Sequence, residues 1–451
     1  MVALMRRFFL VLAFSAFILP SSGQAQTALS AWVQMAPGGG AEIRATSWRA
    51  CPFAVFDSTD DIELGVRSEL RDAKHISMQE RAARDPNFPT VCSLAIPAGV
   101  KSVSVPVSET GEPASVILQR FPVSAADPQR ILVLGDTGCR IKGTALQACN
   151  DPKAWPFAGL AKAAAAQHPD LVIHLGDYLY RESPCPASFP GCAGSPWGDN
   201  WESWKADFFD PAKPLLTAAP WIFIRGNHED CFRAGPGFLR LLGPTAYDPK
   251  APCNAHLDPY AVQVGSQTIA IMDSASAPDQ TVDPQQVPLY QKDFEALKAM
   301  ANVGAGRELW LGSHRPLWGA ITFMGAPAGG NATMIKAAGD LSAFAAISLM
   351  LSGHIHSFEA INYEAKVPPQ IVAGNGGDNL DVTPLDLRGT TFVGDSGVQV
   401  KTGFSVRGFG FMMLTRVQGN EGWTIELYDS NGDPIKQCAY QDRTVFCLSP
   451  R

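Results

Sequence analysis

Six apolar segments recur between residues 130 and 354, and a polar or charged side chain ends each of them. They read RILVLGD, LVIHLGD, WIFIRGN, TIAIMDS, ELWLGSH and SLMLSGH. Such nearly continuous apolar runs are typical of strands that are buried on both faces of a sheet. Helix-like stretches separate several of them: FAGLAKAAAAQ, LYQKDFEALKAMAN and DLSAFAAIS. The alternation predicts a layered α/β domain over residues 129–451, which ends with the strand-like segments GFGFMMLTRV and WTIELYD.

The pattern differs in residues 27–128. Short segments such as KSVSVPVS and ASVILQRF alternate in polarity or run apolar, and Gly, Pro and Asp separate them. Apart from SMQERAARD, no segment in this part resembles a helix. We therefore predict a small β-rich, sandwich-like N-terminal domain, joined to the α/β domain through SAADPQ, residues 124–129.

The first 25 residues have the pattern of an export signal. Arg6 and Arg7 precede an apolar run of 12 residues, and small residues follow as far as Ala25. The pattern predicts a cleaved signal peptide over residues 1–25. An uncleaved anchor is the alternative, but 12 residues are fewer than the roughly 20 that cross a bilayer. Because the arginine pair also resembles a twin-arginine signal, the export route stays open, and the expected location is periplasmic or secreted.

Composition and charge exclude some partners. The chain has 451 residues and is 46% hydrophobic, which is enough for a large core. Its net charge of −7 becomes −9 when Arg6 and Arg7 are removed with the signal. An acidic protein gains no long-range attraction to nucleic acid or anionic lipid, so we expect no nucleic-acid partner. No other apolar run is long enough to cross a bilayer, so we expect no membrane span after signal cleavage. Positive charge for binding a phosphate would have to be local, and a metal is the obvious source.

The ten cysteines favour disulfides, because their number is even and the chain is predicted to be exported. Pairing each cysteine with its neighbour along the chain gives Cys139–Cys149, Cys185–Cys192, Cys231–Cys253 and Cys438–Cys447, and leaves Cys51 and Cys92. A thiolate zinc site is the alternative, but the sequence has no C-x-x-C motif to support it.

Five of the six apolar segments end in a residue that can bind a metal. These residues are Asp136, Asp177, Asn227, His314 and His354, whereas Asp273 ends its segment without a matching motif. Ligands of open α/β sheets collect at the carboxyl ends of strands. In GHIH, His356 lies two residues after His354, so both imidazoles can face one point. The mixed nitrogen and oxygen donors predict a site for zinc, iron or manganese.

The segments GDTG, GDYLY, GNHE, SHRP and GHIH, in this order, resemble the five signature blocks of the calcineurin-like metallophosphoesterases. They span about half of the chain, from Gly135 to His356. The first block of that superfamily is usually Asp-x-His, whereas this chain has Gly138 at the third position. The missing histidine, together with Tyr180 in GDYLY, is similar to the pattern of purple acid phosphatases.

The resemblance implies two metal ions. Asp136, Asp177, Tyr180 and His356 would hold the first, and Asn227, His314 and His354 would hold the second together with Asp177, which would bridge the two. A phenol ionises near pH ~10, so a tyrosinate ligand calls for a strongly Lewis-acidic metal. We therefore expect ferric iron with a divalent zinc, manganese or iron ion. The alternative is that Tyr180 only packs beside an ordinary divalent pair.

The resemblance also implies a reaction, the hydrolysis of small phosphomonoesters by attack of a metal-bound hydroxide. His228 would act as the general acid, and Glu229 and Asp230 could orient its ring or could simply be solvated. Arg315 could bind the substrate phosphate or take part in a salt bridge. We expect AGNGGDN, residues 373–379, to turn near the metals, and the tryptophans of WGDNWESW either to line the pocket or to lie in the core.

Two other functions compete with this hypothesis. The same metal site could serve a phosphodiesterase or a nucleotidase, because the ligands do not select between monoesters and diesters. A non-catalytic envelope protein that binds metals or phosphorylated ligands belongs to a different class, and the complete ligand set with His228 disfavours it. No feature of the sequence indicates an oligomeric state.

Overall fold

The computed structural model describes residues 29–57, 76–98, 100, 102–107, 114–118, 127–303, 308–323, 326–364, 367–393, 397–419 and 422–447. The predicted signal peptide and the first half of the predicted linker, residues 124–126, lie outside these residues. Within the described ranges, no helix is both long enough and apolar enough to cross a membrane.

Strands dominate the structure. In chain order they are β1 Ser30–Met35, β2 Ala41–Ser47, β3 Phe53–Asp57, β4 Ile76–Ser77, β5 Gln79–Ala82, β6 Thr90–Ile96, β7 Ser102–Val107, β8 Ala114–Leu118, β9 Arg130–Leu134, β10 Ile141–Lys142, β11 Ala145–Leu146, β12 Leu171–His174, β13 Trp221–Phe223, β14 Tyr260–Val264, β15 Gln267–Ile271, β16 Glu308–Gly312, β17 Ala320–Phe323, β18 Ala326–Gly329, β19 Ile347–Ser352, β20 Phe358–Tyr363, β21 Gln370–Ala373, β22 Thr391–Phe392, β23 Val400–Val406, β24 Gly410–Arg416, β25 Trp423–Asp429, β26 Pro434–Gln441 and β27 Thr444–Cys447.

Helices cover the outside of the sheets. They are α1 Phe157–Ala166, α2 Trp201–Trp204, α3 Asp210–Leu216, α4 Gly235–Leu241, α5 Val287–Val303 and α6 Ala332–Ala338. A π-helical turn, Lys205–Phe209, joins α2 to α3. Short 3₁₀ helices cover Pro190–Cys192, Asn227–Glu229 and Ser342–Phe344.

Two large sheets form the layered α/β fold that the sequence predicts. The first sheet has the strand order β27-β26-β25-β24-β9-β12-β13-β1-β2-β6-β5, and the second has the order β14-β15-β16-β19-β21-β20-β23. Strands β9, β12 and β13 are parallel neighbours in the first sheet, and β15, β16, β19 and β21 are parallel neighbours in the second. As expected, β24 and β25 extend the first sheet beyond β9.

The two sheets bury a shared core between them. Ile131 and Val133 of β9 face this core together with Trp310 and Leu349 of the second sheet. The alternate side chains of β9, such as Leu132, face a separate core beneath the helices. Since both faces of β9 are buried, its sequence is continuously apolar.

The N-terminal strands form the predicted β-rich, sandwich-like layer, and they also continue the central sheet. Strand β1 pairs in parallel with β13, and β2, β6 and β5 follow it. Strands β4, β3, β7 and β8 form a second small sheet, and Val103 and Val105 of that sheet pack in one cluster with Val33 and Ile43. The predicted domain boundary at residue 128 is crossed by the pairing of β1 with β13. That the two parts are separate domains therefore stays a prediction.

Two expectations about helices are wrong. SMQERAARD contains β4 and β5 instead of a helix, because β5 pairs with β6. Within DLSAFAAIS only the 3₁₀ turn Ser342–Phe344 is helical. The preceding helix α6 ends at Gly339, whose φ is 59°, and Leu341 is also left-handed, at 64°. Since β19 begins at Ile347, too few residues remain for an α-helix.

Five disulfides confirm the pairing of neighbouring cysteines. They are Cys51–Cys92, Cys139–Cys149, Cys185–Cys192, Cys231–Cys253 and Cys438–Cys447. Among the described residues no cysteine is free. Two of the bridges hold the loops that follow β9 and β13, and both of those loops carry predicted site residues.

Candidate metal centre

Three predicted ligands converge on the hydroxyl of a fourth, Tyr180, beyond the carboxyl ends of β9, β12 and β19. Tyr180 Oη lies 2.7 Å from Asp177 Oδ2, 3.1 Å from Asp136 Oδ1 and 3.1 Å from His356 Nε2. All four side chains are buried. The structure therefore brings together the complete set that the sequence predicts for the first metal.

The predicted ligands of the second metal lie on the other side of Asp177. His314 Nε2 is 3.0 Å from Asn227 Oδ1 and 3.3 Å from Asp177 Oδ2. Donor atoms of Asp177, His314 and His354 all lie within 4.8 Å of one another, so these three residues could hold a metal ion. Asp177 belongs to both groups, which is the arrangement that a bridging carboxylate requires.

Three of these residues have left-handed backbones, namely Asp136, Asp177 and His354, with φ values of 57°, 59° and 70°. Non-glycine residues in this region cost about 1–3 kcal/mol each, and such strain concentrates at functional sites. Each residue directly follows a glycine after its strand, so the chain turns sharply enough to direct the side chain back over the end of the sheet.

One steric effect explains both why Gly138 replaces the usual histidine of the first block and why Tyr180 is present. A Cβ atom on Gly138 would lie 2.8 Å from Cδ2 of the Tyr180 ring and 2.7 Å from the Tyr178 carbonyl oxygen. A histidine at position 138 could not share this space with the tyrosine. The absence of the usual histidine and the gain of the tyrosine are therefore two parts of one change.

The donor chemistry of the cluster fits a cation. His314 Nδ1 lies 2.8 Å from the Leu175 carbonyl and His356 Nδ1 lies 2.6 Å from the Asn379 carbonyl, so each donates there and directs Nε2 into the site. Both Nε2 atoms then face oxygen acceptors. Burial opposes protonation, but the charge of Asp177 raises the pKa of His314 to about 9. The negative charge of Asp177 that favours protonation of His314 would equally favour binding of a metal ion.

His354 is held by two residues outside the predicted ligand set. Its Nε2 lies 2.9 Å from Asp279 Oδ2 and 3.0 Å from Arg315 Nη1, which leaves Nδ1 for the site. Burial and the charge of Arg315 lower the pKa of His354, which favours the neutral imidazole that binds metals. Arg315 also forms an ion pair with Asp279, so the salt-bridge alternative for this arginine is correct.

His228 lies beside the first group and is oriented by a residue that the sequence reasoning missed. Its ring packs against that of Tyr180 at a tilt of 38° with centroids 3.8 Å apart, and its Nδ1 is 2.6 Å from Glu182 Oε1. Burial acts against ionisation of Glu182, but the hydrogen bond and charge of His228 lower the pKa of that carboxyl to about 2. Neither Glu229 nor Asp230 orients His228, so that expectation is wrong.

Glu229 instead holds the turn that carries the shared ligand. Its carboxylate accepts hydrogen bonds from the backbone N–H groups of Asp177 and Tyr178 at 3.0 and 2.9 Å. Arg225 fixes the same loop, because Nε donates to the Glu229 carbonyl at 2.7 Å and Nη1 pairs with Asp273 at 3.1 Å. Asp230 lies at the surface of this loop and accepts from the Phe232 N–H at 2.8 Å.

The glycine-rich segment 373–379 packs against the first ligand block, as the sequence suggests. Gly376 N–H donates to the Gly135 carbonyl at 3.0 Å, and Asp378 N–H donates to the Asp136 carbonyl at 2.9 Å. The Asp378 carboxylate pairs with Arg140, whose guanidinium lies 4.8 Å from the centre of the Tyr180 ring. This pair therefore lies directly beside the first group.

A cleft of about 510 Å³ opens onto both groups. Asp177, Tyr180, Asn227, His228, His354 and His356 contribute to its lining. The tryptophans of WGDNWESW do not. Trp201 and Trp204 lie in the core, and Trp197 is exposed, so the core alternative is correct for the first two.

Comparison with known proteins identifies the family. The sequence profile described as calcineurin-like phosphoesterase matches residues 129–358, which is half of the chain and includes all five blocks. The chain belongs to the calcineurin-like phosphoesterase family. The family assignment makes this protein a hydrolase of phosphoesters, and it confirms the resemblance drawn from the five blocks.

Solved structures support the fold of this phosphoesterase. A purple acid phosphatase from yellow lupin (Lupinus luteus) seeds is similar with a TM-score of 0.55 and 13% identity, over 92% of this chain and 74% of that chain. PhoD is similar with a TM-score of 0.56 and 10% identity, over 96% of this chain and 94% of that chain. At these identities the similarity establishes the architecture. The comparison with curated protein sequences returns no relative.

Glu182 and Asp279 are the site residues of this phosphoesterase that the sequence did not indicate. Glu182 lies two residues after Tyr180, and this short spacing from a predicted ligand was the only available signal. Asp279 follows β15 by several residues and has no motif, so only the fold brings it to His354.

Proposed function

We propose that this protein is an exported phosphomonoesterase that uses two metal ions. The observation that carries the proposal is the sharing of Asp177 between two groups of nitrogen and oxygen donors, with His228 beside them. Tyr180 Oη is 2.7 Å from one Asp177 oxygen, and His314 Nε2 is 3.3 Å from the same oxygen.

The residues proposed for each metal follow from these groups. Asp136, Asp177, Tyr180 and His356 would hold the first ion, and Asp177, Asn227, His314 and His354 would hold the second. When bound, such a pair neutralises phosphate oxygens and makes water a nucleophile near neutral pH. Because Tyr180 joins the first group, we propose ferric iron there, with zinc, manganese or iron in the divalent state as the second ion.

His228 is proposed to give a proton to the oxygen that leaves the phosphorus. Its Nδ1 faces the Glu182 carboxylate, so Nε2 is the nitrogen available to the cleft. The low pKa of Glu182 keeps it ionised, so that its carboxylate faces Nδ1 of His228 as a hydrogen-bond acceptor. Glu182 is thus a positioning residue, since it acts through His228.

The proposed location is periplasmic or secreted. Five disulfides support it, because disulfides persist in oxidising compartments. The N-terminal 25 residues, with their paired arginines and apolar run, support it independently.

Hydrolysis of two model substrates tests the proposed reaction. The metal-loaded protein should hydrolyse 4-nitrophenyl phosphate with a higher kcat/KM than bis(4-nitrophenyl) phosphate, and His228→Ala should lower kcat by about 10²–10⁴-fold. A preference for the diester would identify a phosphodiesterase instead. Protein that retains two metals but hydrolyses neither ester would favour a non-catalytic binding protein.

A further inference from the structure

One side of the cleft is apolar, although the metal groups on the other side are polar. Pro316, Ile321, Ala328, Ile355 and Val393 all line this side, which we name the apolar wall. Ile355 lies between His354 and His356 in the chain, so the apolar wall begins directly beside the proposed ligands.

A small sheet holds most of the apolar wall in place. Strands β17, β18 and β22 form it, and Ile321 of β17 is the direct partner of Ala328 of β18. The N–H of Val393 donates to the Gly329 carbonyl at 2.9 Å, which places Val393 beside the same strand.

Two further hydrogen bonds fix this sheet to the body of the protein. Ala320 N–H donates to the buried Glu359 carboxylate at 3.0 Å, and Thr322 N–H donates to the Val382 carbonyl at 3.0 Å. The apolar wall is therefore a built surface with a fixed position relative to the site.

The charges around the cleft do not suit a polyanion. Among the described residues that line it, only Arg140 has a permanent positive charge, and Asp378 already pairs with this arginine. Asp381 contributes negative charge to the same lining, whereas the charge of Asp279 is paired with Arg315. A second phosphate or a carboxylate on the substrate would thus meet acidic and apolar groups without a free cation.

We propose that the apolar wall binds the organic group of the substrate, so that the site prefers phosphoesters of uncharged, apolar alcohols over those with additional negative charge. This inference rests on the proposed function, because it assigns the phosphoryl group to the metal centre. Contact of an apolar group with the apolar wall removes both surfaces from water, which is worth about fourfold in affinity for each methylene.

Three phosphonates, which cannot be hydrolysed, test the preference. Butylphosphonate has three methylenes more than methylphosphonate, so titration calorimetry on the metal-loaded protein should show that it binds at least about tenfold more tightly, and about 60-fold more tightly if all three methylenes are fully buried. Butylphosphonate should also bind about tenfold more tightly than 3-phosphonopropionate, which differs at its end by a carboxylate.

Variants localise the effect to the apolar wall. Ile321→Ser should reduce the advantage of butylphosphonate over methylphosphonate to about threefold or less, and leave methylphosphonate affinity within about twofold. Ile321→Lys should raise the affinity for 3-phosphonopropionate. Ile435→Ser, a change of the same kind at an exposed position on β26, is the matched control and should alter none of these values.

The outcomes separate this inference from the proposed function. Equal affinities for the three phosphonates in the wild-type protein would overturn the role of the apolar wall and leave the phosphoesterase site intact. An Ile321→Ser protein that keeps the full butylphosphonate advantage would do the same. Failure of all three to bind to protein with two metals would overturn both proposals.

Discussion

Tyr180 has more contacts within the site than its role as a ligand requires. Its hydroxyl faces Asp136, Asp177 and His356, its ring packs against that of His228 at a tilt, and the Arg140 guanidinium lies over the ring. Loss of the phenol oxygen would therefore affect metal binding, whereas loss of the ring would affect the packing of His228 and Arg140.

Tyr180→Phe removes that oxygen and keeps the ring. If ferric iron occupies the first site, the wild-type protein has a visible charge-transfer band from tyrosinate, and the variant loses it. Absorption spectra of both proteins at equal iron content measure this. A colourless wild-type protein that is active with two zinc ions would contradict the iron proposal, although not the phosphoesterase activity.

Glu182→Gln tests the positioning of His228. The amide keeps the shape but weakens the hydrogen bond that holds Nδ1 of His228, so kcat should fall by about 10–100-fold. The loss should be larger for alkyl phosphates than for 4-nitrophenyl phosphate, because an alkoxide needs the proton more. The combined change with His228→Ala should be no worse than His228→Ala alone. Additive losses would show that Glu182 acts elsewhere.

Most of the proposed ligands could be predicted from the sequence, because they lie just beyond the ends of strands with a strong apolar pattern. Glu182 and Asp279 lack such a context, and their roles depend on where loops from distant parts of the chain meet. For the same reason the sequence suggested Glu229 as the partner of His228, since it is adjacent in the chain. In the fold, its carboxylate points to the Asp177 turn instead.

At the scale of elements, the loop after β13 carries Asn227 and His228 and is fixed by a disulfide. Cys231–Cys253 closes a separation of 22 residues, and Arg225 pairs with Asp273 beneath it. The bridge therefore restrains the loop as well as the unfolded chain. Its removal should affect both the global stability and the site.

Changing Cys231 and Cys253 together to serine should lower the free energy of unfolding by about 3 kcal/mol. It should also weaken binding of the second metal, which depends on Asn227. Thermal unfolding and metal competition with a chelator measure the two effects. The matched control, Cys438→Ser with Cys447→Ser, removes a bridge between β26 and β27 and should lower stability without affecting the metal. Equal metal loss in both variants would contradict this account.

The strand pattern predicted the core strands well and the edge of the sheet poorly. The strands whose ends carry ligands are buried on both faces, so their sequences are distinctive. The continuation of the sheet through β1 was not predictable, because it rests on the pairing of Gln34 with Trp221, far apart in the chain. No local pattern encodes such a contact, and the sequence therefore suggested a separate N-terminal unit.

At the scale of the whole molecule, one buried ion pair away from the metal centre links a loop to α5. His256 Nε2 lies 2.9 Å from Asp293 Oδ2. Burial alone would lower the pKa of His256, but its hydrogen bond and charge interaction with Asp293 raise it overall. Since the folded pKa is above the unfolded value, the pair stabilises the protein fully below about pH 6.5 and less as pH rises through the folded pKa.

His256→Gln removes this dependence. The variant should be less stable than the wild-type protein by about 0.5–1 kcal/mol at pH 5.5, and the difference should shrink towards pH 9. The expected difference is small because the His256 side chain is partly exposed to solvent. Urea denaturation at several pH values measures it. A difference that stays constant with pH would show that the ring contributes by packing alone.

The central claim is that Asp177 joins two metal sites, and elemental analysis of metal content tests it most directly. The account predicts two ions per chain in the active wild-type protein. Asn227→Ala should retain about one ion, and Asp177→Ala should retain neither at full occupancy, because its carboxylate belongs to both groups. A fully active wild-type protein with one ion, or an Asp177→Ala protein that keeps two, would contradict the account.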